Sequence, residues 1–237
     1  MGRELQDTRT IKDFETGYST IIMDGLILSR RICEDNNISY DFIGKVDADM
    51  LLSCNYFEAL LAKFQYNPRL GVAGGCAPGQ TVRSNPMPGG AYLLRRECLE
   101  QLGNLDVEYD IDAVISIKAR LRGWEARIFD DAHFVHKEQR SLWSARRHGF
   151  KAYVLRKPPL ALVWYLAQPF LTGRLQEIPA FLYGYMSALF GREKRVTDRD
   201  VKDYYSHVYS KELVKTISER IKRRFARNPK LSAPGSG

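Results

Sequence analysis

The chain of 237 residues has no apolar run approaching the roughly 20 residues that cross a bilayer. Its longest, Leu160 to Ala167, is far shorter, and Pro169 and Pro179 interrupt the apolar stretch beyond it. Residues 1 to 20 are polar and charged, without the apolar centre or small-residue cleavage pattern of a secretory leader, so a cytoplasmic location is expected. Cysteine is sparse: Cys33, Cys54, Cys76 and Cys98 each stand more than twenty positions from the next, which excludes zinc-knuckle and paired redox spacings. Reduced thiols in a reducing compartment are the expectation. No nucleic-acid recognition motif is present, and the basic residues are not gathered on one evident reader, so nucleic acid is not an expected partner.

What is present suits a folded α/β protein. A composition of 44% hydrophobic and 27% charged residues supports one substantial core with a smaller appended element. The formal charge of +8 is uneven, since carboxylates concentrate before Asp131 and Arg and Lys recur from Arg140 to Lys230. The basic half predicts an anionic partner, such as a membrane surface or a diphosphate-linked ligand.

Apolar positions from Ile21 to Ile32 are loosely helical in period, and Tyr40 to Val46 reads as a buried parallel strand stopping at Asp47 and Asp49. Phe57, Leu60, Leu61 and Phe64 predict a helix capped by Ser53 or Asn55 and ending before Asn67-Pro68. Leu70 to Ala73 and Ala91 to Leu94 read as strands around a long Gly74 to Gly90 loop. A short helix over Arg96 to Leu102 closes at Gly103, a longer one over Asp112 to Arg122 closes at Gly123, and Trp124 to Phe129 returns as a strand. This βαβ-like order predicts an α/β layer fold over residues 1 to 138, then a basic and apolar helical region over 139 to 230 and a low-complexity tail over 231 to 237.

Two acidic elements carry the candidate chemistry. Asp47-Ala48-Asp49 at a strand end suits a hard divalent cation that keeps coordination sites for a diphosphate, and alternation in an extended segment would point both carboxylates to one side. A solvated turn or helix cap is the plainer alternative. The second element, Asp106, Glu108, Asp110 and Asp112, stands before a helix, where a carboxylate also serves as N-cap or dipole partner.

Their order is more informative than either. A strand ending in DAD, then GGAYLLRRECLEQLG, then YDID before a helix reading IKARLRGW resembles glycosyltransferase family 2, over about Tyr40 to His136. The resemblance implies a GT-A, Rossmann-like mixed sheet flanked by helices, and inverting transfer from a nucleotide-diphosphate sugar to a hydroxyl acceptor, lipid-linked or a cell-surface glycan. It implies Mg2+ or Mn2+ held by Asp49 and Asp47, with Asp47 alternatively at the ribose, and a general base at Asp112. Ile111 stands where the family has Glu, which leaves Asp110 as a possible substitute. Gly89 and Gly90 would let the donor sugar approach the backbone, His136 would stand near metal or diphosphate, and Arg140 would pair with phosphate. The chain begins near the family's second or third element, so the expectation is a fragment of such an enzyme, a second polypeptide supplying the nucleotide-binding half, or a non-catalytic remnant.

Arg146, Arg147, His148 and Lys151 lie on a predicted helix beside Trp143, Phe150 and Tyr153, as a solvated basic face or a headgroup surface. LALVWYLAQPFL and IPAFLYGYMSALF, bounded by Arg156-Lys157 and Arg192 to Arg195, read either as helices lying at a membrane interface or as a helical cap on the sheet.

Overall fold

The computed structural model describes residues 11–79, 89–103, 105, 109–136 and 142–227, with side chains for all of these except His136 and 220–227. A long helix α1 (Ile11–Asp35) leads into strands β1 (Phe42–Val46) and β2 (Met50–Leu52), helix α2 (Tyr56–Tyr66) and strand β3 (Leu70–Cys76). Strand β4 (Ala91–Arg95), helices α3 (Arg96–Gln101) and α4 (Ile111–Leu121) and strand β5 (Glu125–His136) complete a mixed α/β unit. The five strands lie in the order β1-β4-β3-β5-β2, in which β3 and β5 are parallel and the other pairs antiparallel.

Alternation along the strands sorts two cores onto opposite faces of this sheet. Tyr92 and Leu94 of β4 and Val72 of β3 meet α4 in one core, whereas Ala91, Leu93 and Ala73 meet Tyr56, Leu60 and Phe64 of α2 in the other. The buried stripe of α2 is therefore 56, 60 and 64, and Phe57 and Leu61, expected inside, are turned outward. Tyr56 decides this rotation. Its hydroxyl donates to the Ala91 carbonyl at 2.7 Å and accepts from the Gly75 N–H at 2.8 Å, which pins the helix across β3 and β4.

Three strand expectations are corrected. β1 is an edge strand antiparallel to β4, not a buried parallel strand, and its one buried residue is Lys45. Asp47 to Asp49 forms a tight turn closed by the Met50 N–H on the Asp47 carbonyl at 3.1 Å, so strand alternation does not govern the two carboxylates. Trp124 to Phe129 is only the start of β5, which shifts register between its contacts with Gly74 and Cys76 and then pairs its far end with β2. Gly123, at φ +86°, does close α4 as expected.

The rest of the described chain is helical: α5 (Leu142–Val154), α6 (Pro159–Thr172), α7 (Glu177–Phe190), α8 (Arg199–Asp203), a π-helical turn (Tyr204–Val208) and α9 (Tyr209–Arg227). Phe150, Tyr153 and Val154 of α5 join the α4 core, as do Ala188, Tyr204 and Tyr205. Helices α5 and α7 meet at two glycines. A Cβ on Gly149 would stand 2.0 Å from the Phe181 carbonyl oxygen, and one on Gly184 would stand 1.9 Å from that of Arg146. Only backbone without a side chain fits at this distance.

This contact and the open α1 surface make opposite predictions for one substitution type. Gly184→Ala forces α5 and α7 apart and should cost about 1–3 kcal/mol, as overpacking of a closed contact does. Gly17→Ala, where a Cβ meets nothing within 4 Å, should be neutral or stabilise by up to about 1 kcal/mol. Urea denaturation of both variants checks the contrast.

Candidate active site

The site begins with a register. Lys45 of β1 and Tyr92 of β4 are direct cross-strand partners on the sheet face covered by α1 and α4. Lys45 is 7% exposed, so its ammonium must find counter-charges inside the protein. It finds Asp47 Oδ1 at 2.7 Å, just beyond the end of its own strand, and Asp112 Oδ2 at 3.3 Å in the first turn of α4. It also donates to the Tyr18 hydroxyl of α1 at 2.5 Å.

The phenols orient the base candidate. Tyr18 donates to Asp112 Oδ2 at 2.8 Å, beside the Lys45 ammonium, and Tyr92 donates to Asp112 Oδ1 at 3.1 Å, so both carboxylate oxygens have partners and Oδ1 keeps spare acceptor capacity. Both rings also lie near the ammonium, at 5.2 Å for Tyr18 and 5.4 Å for Tyr92. Burial, then the charges of Asp112 and Asp47, pushes the Tyr18 phenol well up, and burial and Asp112 do the same to Tyr92. Both stay neutral donors. Burial pushes the Asp112 carboxyl above its ordinary range, against the pull of Lys45 and of the Tyr18 hydrogen bond.

Gly89 and Gly90 border the same space. The Gly90 carbonyl accepts the Asp47 N–H at 2.7 Å, and Gly90 has φ +74° with no room for a Cβ, which would meet Met50 Cε at 2.2 Å. A Cβ on Gly89 would stand 3.7 Å from Asp112 Oδ2. The structure thus gathers Asp47, Asp112, Gly89 and Gly90. Asp49 is half-buried at the third position of the β1–β2 turn, and the β2–β5 register sets His136 opposite Met50, next in sequence to Asp49. The His136 side chain, Arg140, Asp106 and Glu108 lie outside the described residues.

Asp110 belongs to a different cluster. It stands before α4 at φ +55° and pairs with Lys151 of α5 at 2.9 Å; Lys151 also approaches Glu15 of α1 at 3.4 Å, and Arg147 holds the other Glu15 oxygen at 2.6 Å. Burial disfavours the Asp110 charge, but Lys151 and Lys157 outweigh it and hold the carboxyl below its ordinary range. This network is charge-balanced, two acids against two bases. The Lys45 cluster differs: among the described residues, Asp47 and Asp112 share one ammonium.

Sequence reasoning missed Lys45, Tyr18 and Tyr92. A lysine two positions before an acidic turn in an otherwise apolar strand was a signal, because such a position faces inward. Tyr18 had a fainter one, its place one turn after Glu15 on a helix that the apolar period did not extend so far.

As to a metal, the two hard carboxylates of Asp47 and Asp49, two residues apart in one turn, fit Mg2+ or Mn2+, which often take one or two protein carboxylates and complete their shell from substrate phosphate. Among the described residues no group of three or more His, Cys, Asp or Glu is placed to hold an ion.

No protein-family profile matches the sequence, and no curated protein matches it either. Among solved structures the chain is similar to a mannosyltransferase from Pyrobaculum calidifontis in complex with GDP-Man and Mn2+, at 18% identity and a TM-score of 0.41, covering 65% of this chain and 52% of that one. The chain spans about half the length of that structure. A likeness at this level assigns neither activity nor ligand to the chain.

Removing the shared cation tests the cluster. Lys45→Met leaves two carboxylates facing each other in a largely buried site and should cost about 3–5 kcal/mol at neutral pH. The Asp112 pKa, already raised, rises further without Lys45, so acidification protonates it and narrows the gap to wild type. Adding Asp112→Asn should restore part of the loss. Denaturation midpoints of the three proteins across pH check this.

Proposed function

We propose that the chain is the catalytic-centre part of a metal-assisted glycosyltransferase with a GT-A-like arrangement, moving a sugar with inversion from a nucleotide-diphosphate donor to a hydroxyl acceptor, lipid-linked or a glycan. The observation that carries this reading is the convergence of Asp47 and Asp112 on Lys45, across 67 positions between Lys45 and Asp112, beside Gly89, which puts no side chain against Asp112.

In this reading Asp112 is the general base. Its Oδ1 keeps acceptor capacity beyond the Tyr92 bond, and its raised pKa brings it closer to the operating pH than an ordinary aspartate. Asp112 accepts the proton of the acceptor hydroxyl as that oxygen bonds to the anomeric carbon and the bond from that carbon to the diphosphate oxygen breaks. Tyr18 and Tyr92 hold the carboxylate in one orientation through the transfer. Asp47 and Asp49 would hold Mg2+ or Mn2+, which when bound supplies positive charge to the departing diphosphate. Lys45 holds the Asp47 carboxylate in place through their ion pair, and Gly89 keeps side chains away from the approach to Asp112. Asp110, held in its balanced network with Lys151, acts by fixing the start of α4.

A second reading, a non-catalytic binding remnant, draws on the same ion pairs, because an Asp112 with partners on both oxygens is also what a structural cluster needs. Nucleotide binding separates the two. Calorimetric titration of GDP and UDP should show binding that depends on Mn2+ and is lost in Asp49→Ala. With a competent donor and acceptor, Asp112→Asn should lower turnover by about 10²–10⁴-fold, the usual worth of a general base. The rate should fall as pH drops through the Asp112 pKa, with the acid limb above the ordinary carboxylate range. Metal-independent binding, or transfer retained by Asp112→Asn, overturns the transferase reading.

A further inference from the structure

Helices α6 and α7 between them contain one charged residue, Glu177, and Arg174 in the turn that joins them lies 3.4 Å from it. Each helix uses one face for packing. α7 buries Ala180, Phe181, Gly184 and Ala188, and Tyr165 of α6 stacks on Phe181 with ring centroids 5.5 Å apart. The opposite faces ought to be polar, since a helix on an aqueous surface shows water its charged side. Instead α7 exposes Leu182, Tyr183, Met186, Leu189 and Phe190, at helical spacing along one stripe, with Phe190 80% exposed. α6 exposes Leu160, Val163, Phe170 and Leu171, again on one stripe, and Leu175 in the turn is exposed as well. Two consecutive apolar stripes of this extent mark an interaction surface.

Charge around the stripes selects the occupant. Arg146 lies over the Tyr183 ring at 4.8 Å; exposed Arg156 stands just before α6, and exposed Arg192 just after α7. The nearby acids are already paired, Glu177 with Arg174 and Glu193 with Lys12 at 3.0 Å. The rim therefore presents cations around an apolar face that carries Tyr183 and borders Trp164, aromatic types suited to the boundary between headgroups and acyl chains. Each helix is 14 residues long, and among the described residues no helix is long and apolar enough to cross a membrane. A surface of this kind lies in the boundary plane.

We propose that the α6–α7 pair docks this protein on an anionic lipid surface, with the apolar stripes entering the headgroup boundary and the arginine rim held by lipid phosphate. The full chain should co-sediment with vesicles of phosphatidylcholine containing a minority of phosphatidylglycerol about tenfold more strongly than with phosphatidylcholine alone, and high salt should remove the difference. The triple variant Phe170→Gln, Leu171→Gln, Phe190→Gln changes only outward-facing side chains. It should keep the wild-type melting curve and lose about tenfold or more of its vesicle binding. The pair Arg156→Gln, Arg192→Gln should lower binding to the anionic vesicles alone. Wild-type protein that stays in solution with both vesicle types, or a folded triple variant that binds as well as wild type, overturns the proposal. A lipid-free dimer that the triple variant disrupts, without vesicle affinity in the wild type, assigns the face to a second copy and overturns it too. The assay contains no nucleotide, so its outcome is separate from that of the transfer reading.

Discussion

A buried ammonium fixes this architecture locally. Lys45 points from an edge strand into the interior, where an unpaired charge would cost several kcal/mol, so the turn after β1, the first turn of α4 and the N-terminal third of α1 must all reach it. Asp47 is carried there by the chain two residues on, with its N–H held by the Gly90 carbonyl. Asp112 is carried there by the N-terminal end of a helix whose opposite positions Val114, Ile115 and Ile117 are locked in the core. Tyr92 comes for free as the cross-strand neighbour. Each arrives for a different structural reason, and the shared cation makes the arrivals mutually dependent.

The two ionic clusters at the ends of one short segment, Asp110 to Asp112, divide labour by charge balance. Asp110 closes a network with Lys151, Glu15 and Arg147 that binds α1, α4 and α5 together. Asp112, two residues later, points to the other cluster, where two described acids share the Lys45 ammonium. Helix α1 serves both: Glu15 anchors it on α5, and Tyr18, one turn on, reaches the carboxylates. Phe14 adds to the anchor, with the Arg147 guanidinium 4.3 Å from its ring centroid and Trp143 packed edge-on at 6.3 Å.

In the helical half, packing and exposure are two sides of one constraint. α5 and α7 approach so closely at Gly149 and Gly184 that α7 has a single permitted rotation. That rotation turns Phe181 and Ala188 inward and Tyr183, Met186 and Phe190 outward. The exposed stripe is thus enforced by the glycine contact, and its apolar character is a separate choice written into the sequence.

The position of most strands and helices was legible from period and from Gly103 and Gly123, because apolar spacing and left-handed backbone are local properties. The acidic residues were legible as a set, and so was the apolar, charge-poor character of Leu160 to Phe190. Strand partners were not, since β1 reads alike whether parallel in the middle of a sheet or antiparallel at its edge. The α2 face was misread by one position because Tyr56 is chosen by hydrogen bonds to β3 and β4. Lys45, Tyr18 and Tyr92 were invisible as a group for the same reason. By itself the sequence determined which residues are chemically able, through their type and local spacing. The tertiary structure alone decided which of them share a site, because a buried charge takes its partners from whatever elements the sheet and helices bring within about 3 Å, at any separation along the chain.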